Sequence, residues 1–350
     1  MTAFPAVGRA ELEALMAQWG EPRYRAGQVL EQLWQRRVFD FGGMSTLPSA
    51  LREKLASELG GLPAVVSRRC EAADGTVKLL LELRDGANIE MVVIPFEDRT
   101  TFCLSTQVGC PVGCFFCASG AAGLERNLDA SEMLAELCLG AAEIGRWPDN
   151  VVFMGIGEGL LNCANLFSTL EFMTGKDYIG MSPRRITVST SGVKGGIRKL
   201  AELGREYNLA VSLHAPDDET RAKIIPPALR RPVAEIMADV DFYREHAGRM
   251  VTLEYTLLDG INDSFRCADD LARLARKHCC KINLIGYNPT GSGFKRPPRA
   301  RIKAFLERLL AAKAHATLRL ERGADRDAAC GQLRLAARNS EQKSPAGLEK

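Results

Sequence analysis

TTFCLSTQVGCPVGCFFCASG, residues 100–120, is the stretch on which the reading of this chain turns. Its first part, TFCLST (101–106), has the pattern of a short buried strand. The strand runs into a loop carrying Cys110, Cys114 and Cys117 at x3 and x2 spacing. Three thiolates on one tight loop can bind three irons of a cubane [4Fe–4S] cluster and leave the fourth iron open. Gly109 and Gly113 let the backbone fold around such a group. Phe115 and Phe116 are expected to keep water from it. A zinc loop is the plainer alternative, but zinc takes four ligands, commonly as two close pairs, and no fourth partner lies nearby.

Downstream, short apolar runs alternate with helical patterns. The strand candidates are NVVFMGIG (150–157), RITVSTSG (185–192), NLAVSLHA (208–215), MVTLEYTLL (250–258), KINLIGYN (281–288) and ATLRLERG (316–323). SEMLAELCLGAAEIG (131–145) and ADDLARLARKH (268–278) read as intervening helices. Repeated strand–helix units imply an α/β fold with a parallel sheet, as a barrel or an open doubly wound sheet. Polar residues and glycines gather at the C-terminal strand ends, where α/β barrels place their active sites.

Upstream lie three helical patterns: ELEALMAQWG (11–20), YRAGQVLEQLWQRRV (24–38) and SALREKLASELG (49–60). The second carries Val29, Leu30, Leu33 and Trp34 on one face. TVKLLLELRDGANIEMVVIP (76–95) alternates in strand fashion, with Asp85-Gly86 as the hairpin turn. The expected organisation is a helical accessory domain over 1–63, a linking β-hairpin over 64–98, a core over 99–335 and a polar, disordered tail over 336–350.

Composition excludes little beyond membrane insertion. Apolar residues make up 46% of the 350-residue chain, charged residues 25%, and the net charge is +3. Every long apolar run is broken by charge or glycine, and the first residues lack a secretory layout, so a cytoplasmic, membrane-free protein is expected. Eleven cysteines, an odd count, suit metal ligation or reactive thiols in a reducing compartment better than a disulfide framework. Cys138 and Cys163 read as core fillers, Cys70 and Cys267 carry no motif, and His278-Cys279-Cys280 reads as structural.

The spacing of Cys110, Cys114 and Cys117 is the signature of the radical S-adenosylmethionine (SAM) superfamily, in which the cofactor's amino and carboxylate groups chelate the open iron. A closer resemblance runs from about Gly20 to about Leu335. The opening stretch together with VVFMGIGEGLLN (151–162), RRITVSTSGV (184–193), LAVSLHAPDDETR (209–221), CKINLIGYNP (280–289) and RGADRDAACGQL (322–333) resembles the RlmN/Cfr family of RNA adenosine methyltransferases. GEPRYRAGQVLEQLWQRRVFDFGGMSTLPSALREKL (20–55) resembles that family's accessory domain.

The resemblance implies a partial (β/α)6-type TIM barrel core and a methyl transfer that passes through a protein thiol. By position, Cys330 would carry the methyl group, Cys103 would resolve the adduct as a disulfide, and Glu90 would remove the ring proton. Contacts to SAM would come from Gly157, Glu158, Ser189, Ser212, Leu213, His214 and Asn288, and the cluster from Cys110, Cys114 and Cys117. The implied target is carbon 2 or carbon 8 of an adenosine, carbon 2 being favoured, in 23S ribosomal RNA with transfer RNA as a second substrate. A flavodoxin or ferredoxin would supply electrons to a monomeric enzyme. The chain departs from the family's usual Gly-Glu-Pro at Gly157-Glu158-Gly159, which bears on substrate identity more than on cofactor binding.

By its residues alone Glu90 reads as a solvated strand carboxylate, and His214 could be a satisfied core histidine. Basic groups at Arg36-Arg37, Arg184-Arg185, Arg230-Arg231 and GFKRPPRARIK (293–303) could meet phosphates at the active-site mouth. Two other readings stay open: a radical SAM enzyme with a different substrate, such as a glycyl-radical activase, and a non-catalytic iron–sulfur or zinc protein that binds RNA. The first leaves Cys103 and Cys330 without work. Absence of 5′-deoxyadenosine formation would point to the second.

Overall fold

Alternation and the Asp85-Gly86 break dictate the first sheet element. In the computed structural model, which describes residues 3–121 and 123–319, three strands form an antiparallel ribbon: β1 (Ala64–Glu71), β2 (Val77–Leu83) and β3 (Asn88–Phe96). Gly86, at φ +80°, makes the reversal, and the Leu83 N–H closes it on the Ala87 carbonyl at 2.8 Å. The ribbon is not a free-standing linker. β3 continues antiparallel onto β4 (Arg99–Cys103), so it forms one edge of the main sheet.

After β4 comes a two-stranded excursion, β5 (Gln107–Gly109) with β6 (Leu124–Asn127), which brackets the cysteine loop. The remaining strands, β7 (Asn150–Phe153), β8 (Ile186–Thr190), β9 (Asn208–Ser212), β10 (Thr252–Leu257), β11 (Lys281–Gly286) and β12 (His315–Leu318), add parallel in chain order from β4. The result is a ten-stranded sheet ordered β1-β2-β3-β4-β7-β8-β9-β10-β11-β12. Its two edges, β1 and β12, are not paired to each other among the described residues, so the barrel is partial, as expected.

Seven helices follow the strands: α4 (Ala130–Ile144), α5 (Cys163–Thr174), α6 (Gly196–Glu202), α7 (Asp218–Ala222), α8 (Val233–Ala247), α9 (Phe265–Lys277) and α10 (Arg299–Ala311), after α1 (Arg9–Gln18), α2 (Tyr24–Leu30) and α3 (Ser49–Leu59) upstream. The start of α4 is fixed by a capping box between Asp129 and Glu132, which satisfies two orphan N–H groups at once. No helix among the described residues is long and apolar enough to cross a membrane.

The α1–α3 region does not fold around a core of its own. Val29, Leu30, Leu33 and Trp34 are all buried in a single apolar cluster that extends into the barrel. Trp34 lies 6.1 Å from Trp147 and 6.0 Å from Phe172, and the Trp147 indole donates to the Trp34 carbonyl at 2.9 Å. Truncating a buried leucine here, such as Leu33, would cost about 2–5 kcal/mol.

Candidate active site

The cysteine loop leaves the sheet at Gly109. Its φ of +79° and its approach to the Gly123 carbonyl leave no room for a Cβ, so only glycine can stand there. The Cys110 N–H donates to that same carbonyl at 2.9 Å, and the Phe115 N–H donates to Ile224 O at 3.0 Å. Thr290 Oγ1 donates to Phe116 O at 3.0 Å. A second small apolar cluster, including Val112, Ile224, Ile225 and Tyr287, supports the loop, with Cys110, Cys114 and Phe116 packed against it.

The two phenylalanines part ways. Phe116 turns inward, edge-on to His214 at 5.0 Å and Tyr287 at 6.4 Å, whereas Phe115 is 49% exposed. Burial pushes the Cys110 thiol up to about 11, against N–H groups of Val112 and Gly113 that favour its thiolate. Burial raises Cys114 further, aided by Cys117 and Cys110 and opposed by the Arg221 cation. Among the described residues no three His, Cys, Asp or Glu side chains are gathered tightly enough to hold a single ion. Cys110 and Cys114, whose ionisation burial and the neighbouring thiols oppose, with N–H donors aimed at Cys110, fit an iron–sulfur cluster whose iron cations would offset that opposition.

Beside the loop, β7 ends in Met154–Glu158. Gly157 has a φ of +113°, and a Cβ there would stand 2.7 Å from both Gln107 Cβ and Thr106 Oγ1. The Glu158 N–H is held by Gln107 Oε1 at 2.8 Å. The Glu158 carboxylate is buried and accepts from Ser191 N at 2.6 Å and Leu160 N at 3.3 Å. Burial raises its pKa, and these donors work against the rise.

Ser105 is a hub that the sequence reading missed. Its Oγ donates to Glu90 O at 2.7 Å and accepts from Ile156 N at 3.0 Å, while its N–H donates to Glu136 Oε2 at 2.9 Å. Glu136 is fully buried, and desolvation holds its pKa well above the usual carboxylate range. Its position in an apolar helix gave no hint of that partner, 31 residues away.

Strand register carries the other expected residues to one inner face. Ser189 pairs with Ala210 and Ser212 with Glu254, so both serines lie on the face of the sheet opposite Val188, Val211 and Leu253 of the apolar core. Leu213 and His214 follow β9, and Asn288 is half-buried two residues after β11. His214, at φ +56°, has Nδ1 within 3.1 Å of the Thr256 N–H. That bond requires an unprotonated Nδ1, so the proton is assigned to Nε2. Burial, helped by Arg221, lowers its pKa to about 3. Asn262 locks this corner by donating to both His214 O and Thr256 O.

On the antiparallel side, Val92 pairs with Cys103, which puts Glu90, two residues along β3, on the face that carries the Cys103 thiol. Both are buried, and Glu90 forms an ion pair with Lys78 at 3.8 Å. The expected solvated carboxylate is therefore wrong: Lys78, on the adjacent strand β2 in TVKLLLEL, is its buried partner. Cys330 lies outside the described residues.

The basic groups also separate. Arg184 precedes β8, at the N-terminal end of the barrel and away from the mouth, and is paired in parallel with Glu206 at 2.8 and 2.9 Å. Arg36 pairs with Glu31 and Arg231 with Asp239. Lys223 pairs with Glu219 at 3.4 Å, and Arg230 donates to Ile225 O at 3.1 Å, next to Ile224, whose carbonyl accepts from the Phe115 N–H of the cysteine loop. Elsewhere His278 binds Asp241 at 2.8 Å, Cys138 and Cys280 are buried, and Cys279 is exposed, in keeping with a structural role.

Two family models match: the ribosomal RNA large subunit methyltransferase N-terminal domain over residues 6–59 and the radical SAM superfamily over 104–272. A probable dual-specificity RNA methyltransferase RlmN of Thermus thermophilus is 45% identical over 328 residues, 93% of this chain and 92% of its own. The dual-specificity RNA methyltransferase RlmN of Nitratidesulfovibrio vulgaris is 43% identical over 337 residues, again 93% and 92%. The crystal structure of a radical SAM methyltransferase from Sphaerobacter thermophilus superposes with a TM-score of 0.91 at 42% identity, covering 95% of this chain and 99% of that one.

Proposed function

Because the chain belongs to the RlmN family of radical SAM RNA methyltransferases, we propose that it methylates carbon 2 of an adenosine in 23S ribosomal RNA, and in transfer RNA, through a methylated cysteine. The observation that carries this reading is the shared buried wall of Glu90 and Cys103, beside a mouth rimmed by the cysteine loop.

In this reading Cys110, Cys114 and Cys117 hold the cluster, and Gly157, Glu158, Ser189, Ser212, Leu213, His214 and Asn288 surround SAM. When bound, the cluster and SAM would supply radical hydrogen abstraction, the chemistry needed where an ordinary methyl transfer to an unreactive ring carbon fails. Gly157 allows close backbone approach. Glu158 acts mainly by fixing that loop, since its oxygens are already engaged by Ser191 and Leu160. Neutral His214 adds no competing charge.

Cys330 carries the methyl carbon to the ring, and Glu90 takes the ring proton at its carboxylate. The electron left over from the radical addition would return to the cluster that supplied it. The Cys103 thiolate would then attack the Cys330 sulfur, so that the S–S bond forms, the carbon–sulfur bond breaks, and the freed methylene carbon takes up a proton as the methylated base leaves. The exposed Phe115 and the neighbouring Arg230 offer a stacking face and a phosphate contact for an unstacked RNA loop.

The test is anaerobic incubation of reconstituted enzyme, reductant and SAM with unmodified ribosomal and transfer RNA, followed by nucleoside mass spectrometry. 2-Methyladenosine from the wild type and none from Cys330→Ala is the expected result. 8-Methyladenosine would move the target carbon. 5′-Deoxyadenosine without methylated RNA would remove the RNA substrate.

A further inference from the structure

Arg221, the last residue of the motif LAVSLHAPDDETR, has no role in the reading above, yet it is one of the largest fully buried side chains, at 1% exposure. Its guanidinium donates only to main-chain carbonyls: Nη2 to Ser191 O at 2.6 Å, Nε to Leu213 O at 3.3 Å and Nη1 to Arg231 O at 3.2 Å. It thereby ties together the segments after β8 and β9 and the one before α8. Among the described residues it makes no ion pair. Asp218 acts on it only from a distance and is engaged by the Val233 N–H, while Arg230 and Arg231 add further positive charge.

A buried cation without a counter-charge is strongly unfavourable. The group placed to supply one is the cysteine loop. Ile224 N and Ile225 N donate to Arg221 O, and Ile224 O accepts from Phe115 N, so the arginine's own turn carries the loop. Ile224 and Ile225 also pack with Val112 beneath Cys110 and Cys114. A thiolate at Cys114 would act on Arg221 more strongly than the Asp218 carboxylate does. A cubane cluster on three thiolates is net negative and gains another negative charge on one-electron reduction, and charge and hydrogen bonding around such clusters set their potentials.

We propose that Arg221 is the internal counter-cation of the cluster site, a positioning residue that raises the cluster's reduction potential while pinning the loops on which it rests. This rests on the assignment of Cys110, Cys114 and Cys117 as cluster ligands. It explains why an arginine is used where only carbonyls are bonded: a neutral donor could serve the carbonyls but would not offset the incoming electron.

The test uses the full chain, reconstituted anaerobically, with iron and sulfide content as the loading control and an EPR-monitored redox titration as the readout. Arg221→Gln is expected to hold the cluster at a lower potential, with at least a tenfold fall in the reduced-to-oxidised ratio at the wild-type midpoint, 59 mV for a one-electron couple. Arg221→Lys, which keeps the charge and loses the fork, should stay within that interval. A fully loaded Arg221→Gln protein titrating at the wild-type potential overturns the proposal. If that variant does not load, citrulline at position 221 keeps the shape and most donors without the charge, and an unchanged potential there overturns it equally. Cys114→Ala separates the two levels: a folded Cys114→Ala protein that still loads the full cluster sinks the ligand assignment rather than the role of Arg221.

Discussion

The antiparallel edge of the sheet, β2–β4, buries a complete ion pair, whereas the parallel half, β8–β10, buries a neutral histidine and a carboxylate whose pKa burial raises. Lys78 and Glu90 are both nearly inaccessible on the edge, with their charges 3.8 Å apart. Across the mouth, His214 is held neutral, and burial raises the pKa of Glu254, which accepts from Asn283 at 2.8 Å. The difference follows the work each wall is proposed to do. A wall that accepts a proton from a ring needs a carboxylate, and a lysine keeps that carboxylate buried. A wall that lies against a charged cofactor does better with dipoles, which orient it without competing for its charges.

The most severe way to break the comparison is to remove one member of the pair. Lys78→Met should destabilise the fold by about 3–5 kcal/mol, because Glu90 is left buried without this counter-charge. The double variant Lys78→Met/Glu90→Leu should recover most of that loss and still form no methylated base. Urea unfolding of the two proteins measures it, and additive losses would show that the pair is not coupled. Gly157→Ala strikes the other wall. A φ of +113° and the close approach to Gln107 and Thr106 should cost about 1–3 kcal/mol. Cofactor affinity, measured by calorimetry, should fall along with stability; retained affinity would mean that the backbone does not approach the cofactor there.

A pH series sharpens the contrast. His214 titrates near 3 in the fold and near 6.5 in the unfolded chain, so the unfolded state binds the extra proton between those values. Its contribution to stability is therefore complete above about pH 6.5 and is lost as pH falls toward 3, at up to about 1.4 kcal/mol per pH unit. Glu158 and Glu254, whose folded pKa values are raised, act with the opposite sign and favour the fold at lower pH. The comparison that isolates the histidine is wild type against His214→Gln, unfolded in urea at pH 7.5 and 5.5. The wild type should lose about 1.4 kcal/mol more than the variant over the single unit below pH 6.5. Equal losses would mean that His214 is already charged in the fold.

The strands from TFCLST to KINLIGYN were legible because each apolar run ends in a glycine or polar turn, and the cysteine loop because three thiols at fixed spacing have few other uses. The pair Lys78–Glu90 was not, since a buried charge and an exposed one look alike until strand register is known. Ser105, Glu136 and Arg221 escaped for the same reason: their partners are backbone atoms or side chains brought near only by the fold. The short β5–β6 hairpin was invisible because QVG and LERN are too brief to show a period. The resemblance could assign Cys330 a role but not a place, and it lies outside the described residues.

Gly159 is the mildest test of whether the cofactor wall keeps the geometry of its family. Glu158 is extended, at φ −108° and ψ 98°, a conformation compatible with a following proline. Gly159 is the first residue of a one-turn helix over Gly159–Leu161, the position where a missing N–H does least harm. A Cβ there would meet Leu166 Cδ2 at 3.3 Å and Thr106 Cγ2 at 3.4 Å, side-chain ends that must yield by a few tenths of an ångström. Stiffening the unfolded chain favours the fold by about 0.4–1 kcal/mol, and that small crowding works against it. Gly159→Pro should therefore stabilise the protein by about 0.5 kcal/mol in urea unfolding, with cofactor affinity unchanged. A loss of stability would mean that Leu166 and Thr106 have closed into the space a proline ring needs, and the departure at this position would then be a repacked wall rather than a single missing ring.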